Sequence, residues 1–401
     1  MSSKAGELPL KGIRVLDLSR VLAGPFCSMT LSDLGAEVIK VEIPGRGDDT
    51  RAYPPFVNGE SSYFMSINRG KKSVTLNLKT EEARKALYRI AEKCDVFLEN
   101  YRPGVTARLG VDYETLKEVN PRLVYCSISS FGQTGPYAQW PGYDLIIQGM
   151  GGLMGVTGEP GAAPVRIGVA ITDLGAGMWA VIAILSALRA REKTGKGQYL
   201  DVSMIDGSVS WMTYMAGNYF ATGKVSPKMG SAHPSIVPYQ AFKAGDGKGI
   251  LVAAGNDRLF GMLCDVLGLG GLSGDPLYVK NEDRVANRGT LISLLQEEFR
   301  KRPRDVWLEA FRAIGFPSAP VYSMDEIFAD EQVLHRGMLV EMDHPKAGRI
   351  KQIGPVLKFS GTPFEVGLPP PELGSHTDEV LEEIAGYSPN EVEGLRERGA
   401  I

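Results

Sequence analysis

The segment Arg166–Trp179, RIGVAITDLGAGMW, brings an apolar approach up to Thr172 and Asp173, then opens a long apolar helical pattern with Gly175, Ala176 and Gly177. An aspartate at that position would face the unsatisfied N–H groups and the positive dipole end of a helix. Both favour the charged form, so Asp173 is expected to be ionised. A carboxylate is already charged at neutral pH and can attack an activated carbonyl without a general base. Glycines just after it would leave a substrate room to approach the backbone. The same residues also read as an ordinary N-cap followed by glycines that allow close helix packing. On the residues alone, that reading leads.

Other familiar constellations are missing. No GxxxxGK[ST] phosphate loop and no GxSxG nucleophile elbow occurs. Cys27, Cys94, Cys126 and Cys264 show no CxxC or Cys–His spacing, so reduced thiols are expected and neither zinc nor disulfides. His335, His344 and His376 have no metal spacing. Glu42 ends a strand-like run and resembles the acid that holds a ribose in dinucleotide sites. The glycine fingerprint should then follow Leu18, yet Ser19-Arg20-Val21-Leu22-Ala23-Gly24-Pro25 has one glycine where three are needed. That weakens the rival from another class, a nucleotide-binding oxidoreductase.

Asp173 needs a frame, and the flanking pattern describes one. Gly12–Leu18 and Gly35–Glu42 read as strands around a helix over Ala23–Leu34. Further strands are expected at Ser73–Leu78, Val96–Glu99, Leu123–Ser130 and Gln198–Ser203, with a helix over Thr80–Lys93. Ile171–Glu192 is the longest helical pattern, and Met204–Tyr219 reads as helical again. Alternation of this kind implies an α/β fold whose Rossmann-type large domain carries a mostly parallel sheet. Composition shifts toward Gly, Ser, Pro and Lys near Ala221–Pro238, which predicts a linker. A smaller α+β domain is expected after it. The predicted division is a large domain over 1–220, a small one over 221–324, and a C-terminal segment over 325–401.

The chain has 401 residues, 43% hydrophobic and 23% charged, with a formal net charge of −3. Nothing in that balance suggests a nucleic-acid surface. The start, MSSKAGELPLKG, lacks a signal-peptide core, and no uninterrupted apolar run reaches the roughly 18–20 residues of a membrane span. A cytoplasmic protein with no membrane or nucleic-acid partner is expected.

Several motifs along the chain are similar to those of one family. They are RVLAGP (20–25), LGAEVIKVE (34–42), GDDTR (47–51), NRGKKSVTLNLK (68–79), DVFLENYRPG (95–104), GYDLIIQ (142–148), the Asp173 segment and RAREKTGKGQYLDVSM (189–204). In this order they resemble the class III CoA-transferases, the formyl-CoA and carnitine CoA-transferase family. The resemblance continues through GSAHPSIVPYQAF (230–242), VAAGND (252–257) and LPPPELGSHT (368–377), where it is nearest to the branch acting on succinate and hydroxymethylglutarate.

The resemblance implies that Asp173 is the nucleophile and that no metal or organic cofactor is needed beyond the coenzyme A thioester substrate. It implies an interlocked homodimer whose chain ends return to the large domain. Coenzyme A would be held by Leu22, Ala23, Leu76, Lys79, Asn100, Tyr101, Arg102 and Arg108, with Tyr143 and Asp144 beside it. Arg108 is the best phosphate partner among these, because a guanidinium binds phosphate in a fork. Ile43 stands where some members carry an arginine, and Arg46 is the candidate replacement. The glycine flap of some members is missing, with Ser231-Ala232-His233-Pro234 near its place.

The substrates implied are succinyl-CoA and a dicarboxylic acid of glutarate or hydroxymethylglutarate type. A distal carboxylate would call for a cation, and His233, Arg46 and Arg51 are candidates. The same family includes α-methylacyl-CoA racemases, whose histidine comes in a Gly-His-Asp motif. Here Gly142-Tyr143-Asp144 puts a tyrosine there, a poor base near neutrality.

Overall fold

The computed structural model describes residues 7–364 and 367–401; residues 1–6, part of the opening read above for a leader, lie outside the described residues. Two compact units emerge, one of Met1–Leu153, Ile167–Tyr214 and Gln332–Ile401, the other of Met154–Arg166 and Met215–Glu331. The divisions expected at 220 and 324 therefore fall at 214 and 331, and an excursion over 154–166 joins the second unit. The first shift follows from a break in the Met204–Tyr219 pattern. That stretch forms two helices, Met204–Ser210 and α7 (Thr213–Thr222), the second opening on Thr213 at φ 29°.

The main sheet of the larger unit has six short strands: β1 (Arg14–Asp17), β2 (Glu37–Glu42), β3 (Lys71–Thr75), β4 (Val96–Glu99), β5 (Val124–Ser129) and β6 (Tyr199–Ser203). All pair in parallel, in the order β3-β2-β1-β4-β5-β6, which is the Rossmann arrangement. Leu16 of β1 lies beside Ile39 on one side and Phe97 on the other. Helices cover both faces, so β4 and β5 are buried at every residue and show no polar alternation.

The helices that matter here are α1 (Ala23–Asp33), α2 (Glu81–Ala91), α3 (Val105–Leu109), α4 (Asp144–Met150), α5 (Ile171–Thr194) and α6 (Met204–Ser210). α2 begins where Thr80 Oγ1 accepts from the Ala83 N–H at 3.3 Å, with Glu81 and Glu82 in its first turn. Its Leu87 and Ile90 pack on one sheet face together with Val380, Leu381, Val392 and Leu395 of α11 (Thr377–Glu383) and α12 (Pro389–Glu397), two helices near the chain end. Cys27 and Leu31 of α1 meet Ala176, Ala180 and Ile184 of α5 on the other face.

The glycines after Asp173 serve this packing and not a substrate. A Cβ on Gly177 would lie 2.7 Å from the Ala23 carbonyl oxygen, and one on Gly175 would lie 2.0 Å from the Trp211 ring. The room expected beside the backbone is filled by protein. α5 is also long and apolar enough, by length and composition, to cross a membrane, contrary to the reading of shorter apolar stretches. Half of that apolar window is buried inside the protein, and the helix supplies a core face.

The chain end straps the β3 edge. The His376 N–H donates to the Ser73 carbonyl at 2.9 Å, the Thr75 N–H to Thr377 Oγ1 at 3.0 Å, and the Asn77 N–H to the Ala400 carbonyl at 2.8 Å. The second unit has its own antiparallel sheet of β7 (Tyr239–Lys243), β8 (Gly249–Ala253) and β9 (Ser318–Pro320). Helices α8 (Asp257–Leu267), α9 (Arg288–Phe299) and α10 (Arg304–Ala313) close a separate core around Phe242, Phe299 and Trp307.

The loop after β1 is shaped by side chains. Lys40 and Asp48, both wholly buried, pair at 2.9 Å. Lys40 Nζ also donates to the Ser19 carbonyl at 2.8 Å, while Asp48 Oδ1 accepts from the Thr50 N–H at 2.9 Å and the Val21 N–H at 3.2 Å. Burial works against its charge, yet Lys40 and these hydrogen bonds hold Asp48 at about 2. Val21 sits at φ 67°, a left-handed conformation that a β-branched residue rarely adopts unless surroundings impose it. Asn100 completes the clamp by accepting from the Arg20 N–H at 2.8 Å and donating to the Arg20 carbonyl at 2.7 Å. Asp48→Ala leaves the Lys40 ammonium buried without its partner. Denaturant titration should show a loss of about 3–5 kcal/mol, most of it recovered when Lys40→Met is added.

Candidate active site

Strand order reverses between β1 and β4, and open α/β sheets bind ligands at the carboxyl ends of the strands flanking such a point. A cleft opens there. Leu22 and Ala23 line it after β1, Asn100, Tyr101 and Arg102 after β4, and Ser129 and Ser130 at the end of β5. Tyr143, which precedes α4, and Asp173 of α5 also line it.

Asp173 is the third residue of α5, so it is not the N-cap; Ala170 holds that place and has no side-chain cap bond. The Asp173 carboxylate has no hydrogen-bond or ion-pair partner among the described residues, and it lines the cleft, partly exposed. Thr172 beside it is clamped from behind. Asp144 Oδ1 accepts from the Thr172 N–H at 3.0 Å and from Thr172 Oγ1 at 2.9 Å, while Asp144 Oδ2 accepts from Gln148 Nε2 at 2.7 Å. This fixes the first turn of α5 and puts a second negative charge near Asp173. Gly142 is needed just before, because a Cβ there would lie 2.5 Å from that of Ser130, whose hydroxyl donates to the Gly142 carbonyl at 2.9 Å.

The electrostatics differ from the expectation drawn from the helix end. Burial first, and then the Asp144 charge, push Asp173 up to about 7. Tyr63, which no motif singled out, shows the reciprocal effect. Burial and then the Asp173 charge push its hydroxyl up to about 12.

Of the residues named for coenzyme A, Leu22, Ala23, Asn100, Tyr101, Arg102 and Tyr143 share the cleft with Asp173. Tyr143 is 71% exposed. Asn100 lines the cleft, but its amide is committed to Arg20. Leu76 is a buried core residue and Asp144 is buried behind the cleft, so neither side chain lines it. Lys79 and Arg108 are exposed and lie outside the cleft lining. Neither they nor Arg102 is ion-paired to an acid among the described residues, so all three remain open to phosphate.

The diacid candidates are corrected more sharply. Arg51 is held bidentately by Glu42, at 2.7 Å twice, donates to the Pro371 carbonyl and stacks 3.6 Å over Phe64. Arg46 is exposed and paired with Asp49 at 2.5 Å. His233 belongs to the second unit, where its Nδ1 accepts from the Ser235 N–H at 3.1 Å and its ring meets Tyr239. Glu42 is buried and committed to Arg51, Ser73 and the Asp48 N–H, which removes it as a ribose ligand. Sequence reasoning missed Tyr63, Ser129 and Trp140, which carry no motif-level signal. Among the described residues no group of three His, Cys, Asp or Glu is placed to hold a metal.

A raised carboxyl inverts the usual acid-stability relation. Between about pH 4 and 7 the folded chain holds a proton on Asp173 that the unfolded chain has lost, so this group lowers stability as pH rises through that window. Asp173→Asn removes the effect. Its melting temperature should exceed that of the parent by a few degrees at pH 8, with the difference closing toward pH 4.

The family model described as CoA-transferase family III matches residues 10–377. The chain is 45% identical over 394 residues to the succinyl-CoA:glutarate CoA-transferase of Homo sapiens, covering 98% of this chain and 90% of the relative. It is 40% identical over 383 residues to the succinate–glutarate CoA-transferase of Agrobacterium fabrum, covering 94% and 96%. A crystal structure of a CAIB/BAIF family protein from Brucella suis superposes with a TM-score of 0.85 at 43% identity, over 94% of this chain and 100% of that one. The chain thus belongs to CoA-transferase family III and is a CoA-transferase.

Proposed function

We propose that the chain moves coenzyme A between succinyl-CoA and a dicarboxylic acid of glutarate or hydroxymethylglutarate type, with Asp173 as nucleophile. The observation that carries this reading is the unpartnered Asp173 carboxyl, opening into a cleft at the switch point of the sheet. The human and Agrobacterium relatives, named for succinyl-CoA or succinate and glutarate, support the choice of substrates.

In the first step an Asp173 carboxylate oxygen bonds the thioester carbonyl carbon. The carbon–sulfur bond breaks, leaving a mixed anhydride and CoA thiolate. The thiolate then attacks the aspartyl carbonyl, which forms an aspartyl–CoA thioester and expels succinate. The acceptor carboxylate attacks that thioester, and the same two steps run in reverse to release the new acyl-CoA. Each exchange stays at the level of an activated acyl group, so no metal or organic cofactor is proposed. A carboxyl raised to about 7 is a stronger nucleophile once ionised than an ordinary aspartate, and perturbed groups in clefts are frequent at reaction centres. Water must be kept from the anhydride.

Arg102 at the cleft, with Lys79 and Arg108 outside its lining, is assigned to the coenzyme phosphates. Arg46, Arg51 and His233 have the structural engagements described above, and none is assigned to the distal carboxylate. We infer a homodimer, interlocked as in the resemblance. Its support is exposed apolar surface on two helices, Leu145, Ile146 and Met150 on α4 with Met178, Trp179 and Ile182 on α5. Four free, buried cysteines fit a reducing compartment, and the cytoplasm is the proposed location.

Exchange of labelled succinate out of succinyl-CoA should fall by roughly 10⁴-fold or more in Asp173→Ala, with hydroxylamine trapping a modified Asp173 only in the parent. Across a panel of acids, diacids of four to six carbons should be preferred; a preference for long monoacids would overturn the substrate assignment. No deuterium should enter the α-carbon of a 2-methylacyl-CoA, as racemisation would require. kcat/KM should decline as pH falls below about 7, following protonation of Asp173.

A further inference from the structure

Ser129 ends β5 and lines the Asp173 cleft. It is 9% exposed, its Oγ is shielded from solvent, and that oxygen has no hydrogen-bond partner among the described residues. Its neighbours are satisfied, since Ser127 donates to Glu99 and Ser130 to the Gly142 carbonyl. A buried hydroxyl without a partner is destabilising and calls for an explanation. A ligand atom that completes the bond supplies one.

A second unsatisfied donor belongs to a residue that lines the same cleft. In the first turn of the 24-residue α5, the Thr172 N–H is taken by Asp144 Oδ1 and the Leu174 N–H by the Ala170 carbonyl at 3.1 Å. The Asp173 N–H between them has no acceptor among the described residues. An unsatisfied N–H at a helix N-terminus carries partial positive charge, which suits a developing anion.

We infer that the Ser129 hydroxyl and the Asp173 N–H are the two donors that hold the thioester carbonyl oxygen as Asp173 attacks it. This rests on the nucleophile reading above. When the Asp173 oxygen bonds the carbonyl carbon, the π pair moves onto the carbonyl oxygen and makes it an oxyanion. Collapse restores the carbonyl and expels the CoA thiolate. Ser129 keeps its proton throughout and forms no covalent bond. Donors fixed in advance at a dry site contribute most where charge develops, so the effect belongs to the transition state and not to binding.

The test compares Ser129→Ala, Ser129→Thr and Asp173→Ala as full-length enzymes with succinyl-CoA. In Ser129→Ala, kcat and kcat/KM should fall together by about a hundredfold, with KM for the thioester little changed. Its melting temperature should be equal to or above the parent's, because an unsatisfied buried hydroxyl has been removed. Asp173 should still be trapped by hydroxylamine, more slowly, and Ser129→Thr should regain part of kcat. An unchanged kcat in Ser129→Ala would overturn the inference. A raised KM at unchanged kcat would also overturn it, placing the hydroxyl on a non-reacting part of the coenzyme. A lowered melting temperature without rescue by threonine would assign Ser129 to structure. Activity surviving in Asp173→Ala is the separate result that removes the nucleophile reading itself.

Discussion

A buried lysine–aspartate pair decides the shape of the site. Lys40 and Asp48 come from β2 and from the loop after it, yet their partners are the Ser19 carbonyl and the Val21 N–H in the loop after β1. Dinucleotide-binding sheets turn at this point with glycines, which adopt the needed dihedrals and let a pyrophosphate approach. Here a valine is held left-handed by charged and amide side chains. The turn is therefore made without a phosphate cradle, and the cleft it borders is walled by Leu22 and Ala23. One sheet order thus supports a different chemistry because the crossing loop is fixed by other means.

Asp144 is the second determinant. By accepting from the Thr172 backbone and hydroxyl it replaces the N-cap that Ala170 cannot provide, and so aligns the first turn of α5. The same carboxylate raises the proton affinity of its neighbour. One residue thus positions Asp173 and adds to the effect of burial on its proton affinity, which couples the integrity of the helix start to the reactivity of the group it presents.

Much of the large unit was legible because its strands are short and rich in β-branched residues, α2 carries strong periodicity and α5 is a long apolar run. Val96–Glu99 matches the sequence reading residue for residue, and the start of α5 at Ile171 matches as well. α12 was legible but unread. Ser388, Pro389 and Glu391 form a capping box with proline at the first helical position. The excursion over 154–166 and the break before Thr213 left no comparable mark, since tertiary packing sets both. In the site, family position pointed to Asp173 and several cleft residues, whereas the search for a cation opposite a distal carboxylate named Arg51, which is held by Glu42 nearby and by the Pro371 carbonyl far along the chain. Burial could not be read from one dipole argument. The proton affinity of Asp173 depends on burial and on Asp144, and its approach to Tyr63 joins chain segments more than a hundred residues apart; local pattern carries no record of such meetings.

The strap across β3 has a consequence for how the molecule is made. Residues 71–77 form the outer strand and its exit, but the groups that satisfy them come from residues 376, 377 and 400. During synthesis the nascent chain must carry some three hundred further residues with that flank bare, exposing a ready template for strand pairing. The large unit closes last along the edge it lays down early, so completion of that flank waits on chain made some three hundred residues later.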